Sequence, residues 1–333
     1  MADVQLERDN PTARKDSVVV RSRAKAGGYA GLSERAYYHY LVNIDSHPDF
    51  LPDAKRLAQH YLSEAGERLN SVTLPAHLRF VEFDQEIFDM RLGVIQHKWM
   101  ERNHAFDADA RARSTNRQKV IEALRQFAPV NLVDGAWLQN IGKAGTLSHA
   151  EALLSSIWAD ESGNGRPEQN HSRIYRALLE SVGVKMPAVS DWAFIKQLNL
   201  LDSAFASPVF QLSIARFPNT FFPELLGMTL YYEWEASVSS IPVVALLEHP
   251  TIGIDARYFK LHVKIDNIDS GHGALAKQAV EGFLQDIRAR RGEEAMQLQW
   301  RRIWLGYVAF ATVGTLDQDL SRSCTRLKSP CLS

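Results

Sequence analysis

The stretch RYFKLHVKIDNIDSGHG, residues 257–273, decides the fold, because its apolar residues recur at helical spacing around polar groups that are costly to bury alone. His262 and Asp266 are four positions apart, so both side chains lie on one face of the predicted helix. An imidazole and a carboxylate on one face are a frequent pair of ligands for a metal ion. His272 lies six positions past Asp266 and joins that face only if the helix bulges or ends before it.

A second stretch, IWADESGNGRPEQNH at residues 157–171, carries a carboxylate and a histidine ten positions apart. On an unbroken helix Glu161 and His171 would lie about 15 Å apart along the axis, too far to share one ion. Gly163, Gly165 and Pro167 predict that the helix breaks between them. The break would let both side chains turn towards one site.

A third stretch, PELLGMTLYYEWE at residues 223–235, places Glu233 in the middle of an apolar helix. Pro223 suits the first turn of that helix, and Gly227 would let a neighbouring helix approach closely. Burying a carboxylate is costly unless the group is paired or binds a metal. Glu233 is therefore a further candidate ligand.

Together the three stretches offer three carboxylates and three imidazoles, a number that suits two metal ions. Carboxylates can bridge and neutralise two divalent cations, and imidazoles suit iron. Zinc hydrolases use fewer ligands and usually one ion. The candidate metal ligands and catalytic residues are Glu161, His171, Glu233, His262, Asp266 and His272.

Neighbouring residues leave other ligand sets open. Ferritin-like diiron bundles use a carboxylate and a histidine three positions apart, and the chain has two such pairs, Glu168 with His171 and Asp269 with His272. Glu235 could also replace Glu233 as the central ligand. A hydrogen-bonded polar network in a bundle that binds or scaffolds is the alternative without a metal.

Helical periodicity extends over most of the chain from Ser33, and convincing alternating strands are scarce, so the predicted fold class is all-α. Asp53 is expected to cap one helix and Gly183 to end another. The predicted organisation is a flexible arm at residues 1–28, N-terminal helices at 29–108 packed on the core, a helical bundle with the candidate ligands at 109–315, and a flexible tail at 316–333.

The composition argues against several classes of protein. With 38 basic and 39 acidic residues spread along 333 positions, the chain shows no basic surface for nucleic acid. No apolar stretch is long enough to cross a membrane, and no signal peptide is evident, so a cytoplasmic location is expected. The two cysteines, Cys324 and Cys331, lie in a polar tail and are not expected to form a disulfide scaffold or a nucleophile in the core.

The three stretches resemble those of the haem-oxygenase-like diiron oxidases, described broadly as iron-containing redox enzymes. The likeness covers about residues 110–315. The shared motifs are an Asp-Glu-x-Gly-x-Gly…Asn-His pattern ending at His171, a Pro-Glu-x-x-Gly…Glu pattern ending at Glu233, and a His-x3-Asp-Asn…Ser-Gly-His pattern ending at His272.

This resemblance implies a helical bundle of haem-oxygenase type, two Fe(II) ions held by the same six residues, dioxygen as co-substrate, and a homodimer. Many relatives carry the last histidine three positions after the aspartate, where this chain has Asp269, so either His272 or Asp269 would complete the second iron site. A haem oxygenase would need one axial histidine rather than three inward carboxylates, and thiamin-degrading relatives use a core cysteine that this core lacks.

The resemblance further implies C–H oxidation of a small aliphatic amino acid, such as desaturation or ring closure of isoleucine or valine to an azetidine. N-oxygenation and fatty-acid oxidation occur on the same fold and are the alternatives. The carboxylate of an amino acid needs a cationic partner, for which the candidates are Arg173, Lys196, Arg257 and Lys264.

Overall fold

The computed structural model describes residues 31–142 and 145–314, together with Tyr29, Leu316, Asp319 and Leu320. The predicted arm at residues 1–28 lies outside the described residues, as do nearly all of the predicted tail and both cysteines. The side chains of Ala236 and Ser237 are likewise outside the description.

The prediction of an all-α fold is confirmed, and no strand occurs within residues 31–142 or 145–314. Short 3₁₀ turns connect several of the helices. The α-helices are α1 Glu34–Val42, α2 Leu51–Arg68, α3 Gln85–His104, α4 Ala108–Ser114, α5 Arg117–Gln126, α6 Ala128–Asn131, α7 His149–Glu161, α8 His171–Ser181, α9 Trp192–Ile195, α10 Ala206–Ala215, α11 Phe222–Leu247, α12 Arg257–Ile265, α13 His272–Arg291 and α14 Glu293–Thr312.

Helix α11 is the central element, and it packs against α14, α12, α13 and α3. Two glycines allow its crossing with α14. A Cβ atom on Gly227 would lie 1.7 Å from the carbonyl oxygen of Ile303, and one on Gly306 would lie 2.0 Å from that of Glu224. The two backbones therefore touch, as the glycine in the third stretch led us to expect.

Local signals explain where the helices around the centre begin. Ser148 and Glu151 form a reciprocal capping box at the start of α7. The side chain of Asn170 accepts a hydrogen bond from the backbone N–H of Arg173 and so caps α8. Gly183, in the left-handed region at φ 82°, follows the end of α8 as predicted.

The structure fixes two helix ends and corrects one sequence expectation. Helix α11 runs to Leu247 through Pro242, since a proline removes only one backbone hydrogen bond, and α11 also packs against α4. Helix α12 ends at Ile265, so Asp266 is its C-cap. The expectation that Asp53 caps a helix was wrong, since Phe50 precedes α2 and Asp53 lies within its first turn, paired with Arg56.

The N-terminal helices α2 and α3 pack against α14 and α11 respectively. Among the described residues, no helix combines the length and the apolar character that a membrane span requires.

Candidate metal centre

Seven buried residues converge between α7, α8, α11, α12 and α13, and none of them is more than 8% exposed. They form two groups of four potential ligands, and within each group the potential ligand atoms all lie within 4.8 Å of one another. The first group is Asp134, Glu161, His171 and His262, and the second is Glu161, Glu233, Asp266 and His272. All six residues predicted from the sequence are thus brought together.

In the first group, the imidazole of His171 points Nδ1 at Glu161 Oε2, 2.5 Å away, and at Asp134 Oδ2, 3.9 Å away. His262 approaches the same Asp134 oxygen with Nε2 at 3.5 Å. Nδ1 of His262 donates to the carbonyl oxygen of Tyr258 at 2.8 Å. This bond fixes the tautomer that leaves Nε2 free for a metal ion.

In the second group, Nδ1 of His272 lies 3.4 Å from Glu161 Oε1, 3.4 Å from Glu233 Oε2 and 3.2 Å from Asp266 Oδ1. The other ring nitrogen, Nε2, pairs with Asp160 at 2.9 Å. A carboxylate that pairs with the outer ring nitrogen of a histidine orients the ring and makes the inner nitrogen a more basic ligand.

Glu161 belongs to both groups and presents one oxygen to each. Oε2 faces His171 in the first group, and Oε1 faces His272 in the second. A carboxylate with this arrangement can bridge two cations.

A tight turn after α7 brings Glu161 and His171 together, as the predicted break requires. Gly163 and Gly165 adopt left-handed φ values of 90° and 76°. A Cβ atom on Gly163 would lie 2.5 Å from the carbonyl oxygen of Arg166, so this position needs glycine. Helix α7 therefore ends at Glu161, and α8 begins at His171.

The loop between α12 and α13 brings His272 onto Asp266. Oδ1 of Asn267 accepts hydrogen bonds from the backbone N–H groups of Asp269, Ser270 and Gly271 and so holds the loop closed. On a continuous helix, residues six positions apart such as Asp266 and His272 would point to different faces. Because α12 ends at Ile265, this constraint does not apply, and His272 reaches the site.

Asp134 is the candidate ligand that the sequence prediction missed. It lies in a turn after α6, where its side chain is fully buried, rather than on a helix. The following Gly135 has φ 78°, and a Cβ atom there would lie 2.7 Å from Glu161 Cβ. The available signal for this residue in the sequence is an aspartate followed by glycine within the apolar run PVNLVDGAWL. The helical periodicity of that run is too weak to predict where the Asp134 side chain points.

Two tyrosine hydroxyls hold Asp134 in place. Tyr258 donates to Oδ2 at 2.7 Å, and Tyr232 donates to Oδ1 at 3.2 Å. These bonds fix the carboxylate but leave lone pairs directed at the two histidines.

Unsatisfied buried atoms show that the cluster suits metal ions. Several atoms of the cluster lie close together but make no hydrogen bond of acceptable geometry: Glu161 Oε2, His171 Nδ1, Glu233 Oε1, both carboxylate oxygens of Asp266, and His272 Nδ1. Buried polar groups are rarely left this way. Six of the eleven such atoms among the described residues therefore lie in the two groups, and the four carboxylates carry the formal charge that two divalent cations would balance. The donor set of carboxylates and imidazoles fits iron.

Without a metal, burial and crowding keep protons on the cluster. Burial raises the pKa of Asp266 to about 7, with a contribution from the nearby charge of Glu233. Burial disfavours the charged form of His262, but the carboxylates of Asp266 and Asp134 outweigh it and raise the pKa of His262 to about 10. These protons occupy positions that a metal ion would take.

The alternative ligands lie elsewhere. Glu168 and Asp269 are exposed, so the two pairs with three-residue spacing do not form the site. His272 rather than Asp269 joins the second group. Glu235 points away from the cluster and accepts hydrogen bonds from Trp99 at 2.6 Å and Tyr307 at 2.9 Å.

Iron affinity is expected to rise steeply with pH. Binding must displace the proton of His262, whose pKa is about 10, and in part that of Asp266, whose pKa is about 7. Displacing at least one proton makes the apparent affinity rise at least about tenfold per pH unit. Anaerobic ferrous titrations between about pH 6 and 8 would measure this, with proton release in weak buffer as the check; an affinity that does not change with pH would contradict it.

The comparisons with known proteins agree with this centre. A family model described as "Iron-containing redox enzyme" matches residues 121–307, more than half of the chain, and this range contains all seven residues of the centre. The comparison with curated proteins gave no match.

Proposed function

This chain belongs to the iron-containing redox enzymes, and we propose that it is an oxidase that binds two ferrous ions in the buried centre and activates dioxygen to oxidise C–H bonds of a small aliphatic amino acid. Isoleucine and valine are the first substrates to consider, with desaturation or closure to an azetidine as the outcome.

The position of Glu161 carries the proposal. Its two carboxylate oxygens face separate groups, each with further buried ligands, whereas a single-ion site would need only one of these groups. Bound iron would supply the redox chemistry and a place for dioxygen.

The side chains of this protein would prepare the site for that chemistry. Asp134, Glu233 and Asp266 supply negative charge where water is excluded, which strengthens their attraction for cations. Tyr258 and Asp160 hold His262 and His272 in the orientation that directs one ring nitrogen inward.

A surface pocket of about 240 Å³ beside the first group supports an amino-acid substrate. Arg173 and Glu168 lie at α8 and just before it, while Arg257 and Asp255 lie on the facing side. Arg257 pairs with Asp255 at 3.0 Å, so Arg173 and Glu168 are the two charges of opposite sign that would receive a zwitterion. The pocket also contains Tyr258, whose hydroxyl reaches Asp134. Two of the four cationic candidates therefore meet here, while Lys196 and Lys264 are exposed outside this pocket.

Oxygen uptake by the ferrous-loaded protein tests this function. We expect isoleucine or valine to accelerate the uptake and to yield a product that has lost hydrogen, detected by mass spectrometry. Rapid mixing with oxygen should show a visible absorbance that decays faster with the same amino acid. A protein that binds two irons but consumes oxygen independently of every amino acid tested would contradict the proposed substrate.

The matched variants are Arg173→Gln and Lys264→Gln. The first removes a guanidinium from the pocket and should raise KM with little change in kcat, because it acts on binding rather than on the buried centre. The second removes an exposed cation outside the pocket and should behave as the unmodified chain. Equal KM values for the two variants would place the substrate elsewhere.

The non-catalytic alternative, a bundle that binds or scaffolds, requires that the buried polar groups satisfy one another. The unpartnered atoms of Asp266 and His272 argue against it. If the chain took up no iron, this reading would replace the oxidase.

A further inference from the structure

Arg91, on α3, is the one buried arginine in the described part of the chain. It is 8% exposed, and its Nη1 atom is buried without a hydrogen-bond partner. Arg302 shows the usual arrangement, since it is half-buried and donates to both oxygens of Glu224, each at 2.7 Å. Burying a charged group is costly unless the group is paired. The burial of Arg91 therefore needs an explanation beyond packing.

The ring of Trp304 explains only part of the position of Arg91. The guanidinium carbon lies 4.5 Å from the ring centroid, and a cation over an aromatic face is attracted to it. The ring face does not supply the oxygen acceptor that Nη1 lacks. Trp304 also donates its indole N–H to the carbonyl oxygen of Leu78 at 2.8 Å. Arg91 therefore lies beside the short 3₁₀ turn that carries His77.

Lys98 and His77 form a basic cluster with Arg91. Lys98 follows Arg91 on α3 by about two helical turns, so both side chains leave the helix on the same face. The ammonium of Lys98 donates to Nδ1 of His77 at 2.7 Å. Because Nδ1 accepts this bond, the hydrogen of the neutral ring lies on Nε2, which is a further donor. All three members of the basic cluster thus offer hydrogen-bond donors.

The surroundings of the basic cluster are positive. Burial lowers the pKa of His77, and the charge of Lys98 lowers it further. The charges of Arg102 and Arg91 act in the same direction. Arg102 also acts on the buried Glu235, so we leave it out of the cluster. The remaining charges of Arg91 and Lys98 share one neutral imidazole between them.

Two carboxylates on α3 are engaged away from the basic cluster. Asp89 pairs with Lys277 at 2.8 Å. Glu101 pairs with His97 at 3.3 Å. An anion from outside the chain is therefore the partner that would complete the cluster.

We propose that the basic cluster of Arg91, Lys98 and His77 binds a phosphate group. A guanidinium presents parallel N–H donors that match two phosphate oxygens, and a lysine adds a compact charge. A phosphate dianion balances both cations, whereas a carboxylate carries a single charge. Nε2 of His77 supplies a neutral donor to the third oxygen.

This site is separate from the metal centre and shares no residue with it. The inference therefore goes beyond the proposed function and does not depend on iron. Inorganic phosphate and the phosphate group of a small organic molecule offer the same chemistry to the cluster, so both are used as probes.

Isothermal titration calorimetry of the full chain in phosphate-free buffer tests this inference. Inorganic phosphate is added to the metal-free protein and, without oxygen, to the ferrous-loaded protein after removal of free iron. We expect saturable binding of one phosphate per chain in both forms. Glycerol phosphate distinguishes the two sources: tighter binding than inorganic phosphate indicates an organic ligand, and weaker binding indicates the free ion.

Two variants locate the binding. Arg91→Lys keeps the charge but loses the parallel donors, and Lys98→Gln removes an exposed charge that the fold does not need. Each should weaken phosphate binding by about tenfold or more, because each loses a charge-assisted hydrogen bond. Lys185→Gln is the matched control, since this exposed lysine lies outside the cluster, and it should bind phosphate as the unmodified chain does.

Thermal melting confirms that each variant is folded, and Lys98→Gln decides the matter if Arg91→Lys is not. No saturable phosphate binding to the unmodified chain would overturn the inference. Binding that requires iron, or that Lys98→Gln leaves unchanged, would also overturn it. Acetate binding as tightly as phosphate would contradict the preference for a dianion.

Discussion

Glu161→Gln is expected to abolish tight binding of two irons. The amide keeps the size of the side chain but removes the charge shared by both groups, and it offers only one good acceptor atom. Mutating a residue that hydrogen-bonds a metal ligand lowers metal affinity by about 10–100-fold. Loss of a ligand shared by both ions should therefore lower the affinity of one or both metal sites by at least about 100-fold. Anaerobic ferrous titration with iron quantification would measure the loss, and oxygen uptake should fall with it.

The metal-free form of this variant should fold at least as well as the unmodified chain. Burial raises the pKa of Glu233, and the nearby charge of Glu161 adds to the rise, as expected for carboxylates that repel one another without a cation. Glu180→Gln is the matched control, since this exposed glutamate on α8 lies outside the centre and does not line the substrate pocket. Undiminished iron binding in Glu161→Gln would contradict the shared role of Glu161.

Gly227→Ala is expected to destabilise the fold severely. Its Cβ atom would lie 1.7 Å from a backbone carbonyl oxygen of α14, and a backbone atom cannot move aside as a flexible side chain can. Forcing α11 and α14 apart should lower the free energy of unfolding by about 3 kcal/mol or more. Urea unfolding of the metal-free protein would measure this change.

Gly93→Ala is the matched control for that change. Gly93 also lies within a helix, α3, but a Cβ atom there would meet nothing within 4 Å. Alanine should then stabilise the fold by about 0.5–1 kcal/mol, because it restricts the unfolded chain. Similar unfolding free energies for the two variants would show that the crossing of α11 and α14 is not as tight as described.

The helices and the candidate ligands Glu161, His171, His262 and Asp266 could be predicted from the sequence because those features are local. Helical periodicity reports which face is buried, and the four-residue spacing of His262 and Asp266 fixes their common direction. The break between Glu161 and His171 was also predictable, since glycine and proline mark it directly.

The rest of the centre depends on tertiary structure. Asp134 lies in a turn, where no periodicity gives its side chain a direction. Its position depends on the close approach of Gly135 to Glu161 and on the hydroxyls of Tyr258 and Tyr232. The choice of His272 over Asp269 depends on where α12 ends, and helix ends are poorly determined by sequence. Glu233 and Glu235 are both on α11, and only the packing of that helix decides which of them faces the centre.

Anomalous diffraction at the iron edge, from crystals grown and soaked with ferrous iron without oxygen, tests the central claim most directly. Two iron peaks are expected, one on either side of the Glu161 carboxylate. One should lie among Asp134, His171 and His262, and the other among Glu233, Asp266 and His272. A single peak, a peak away from these residues, or no peak at saturating iron would contradict a centre of two ions shared by Glu161.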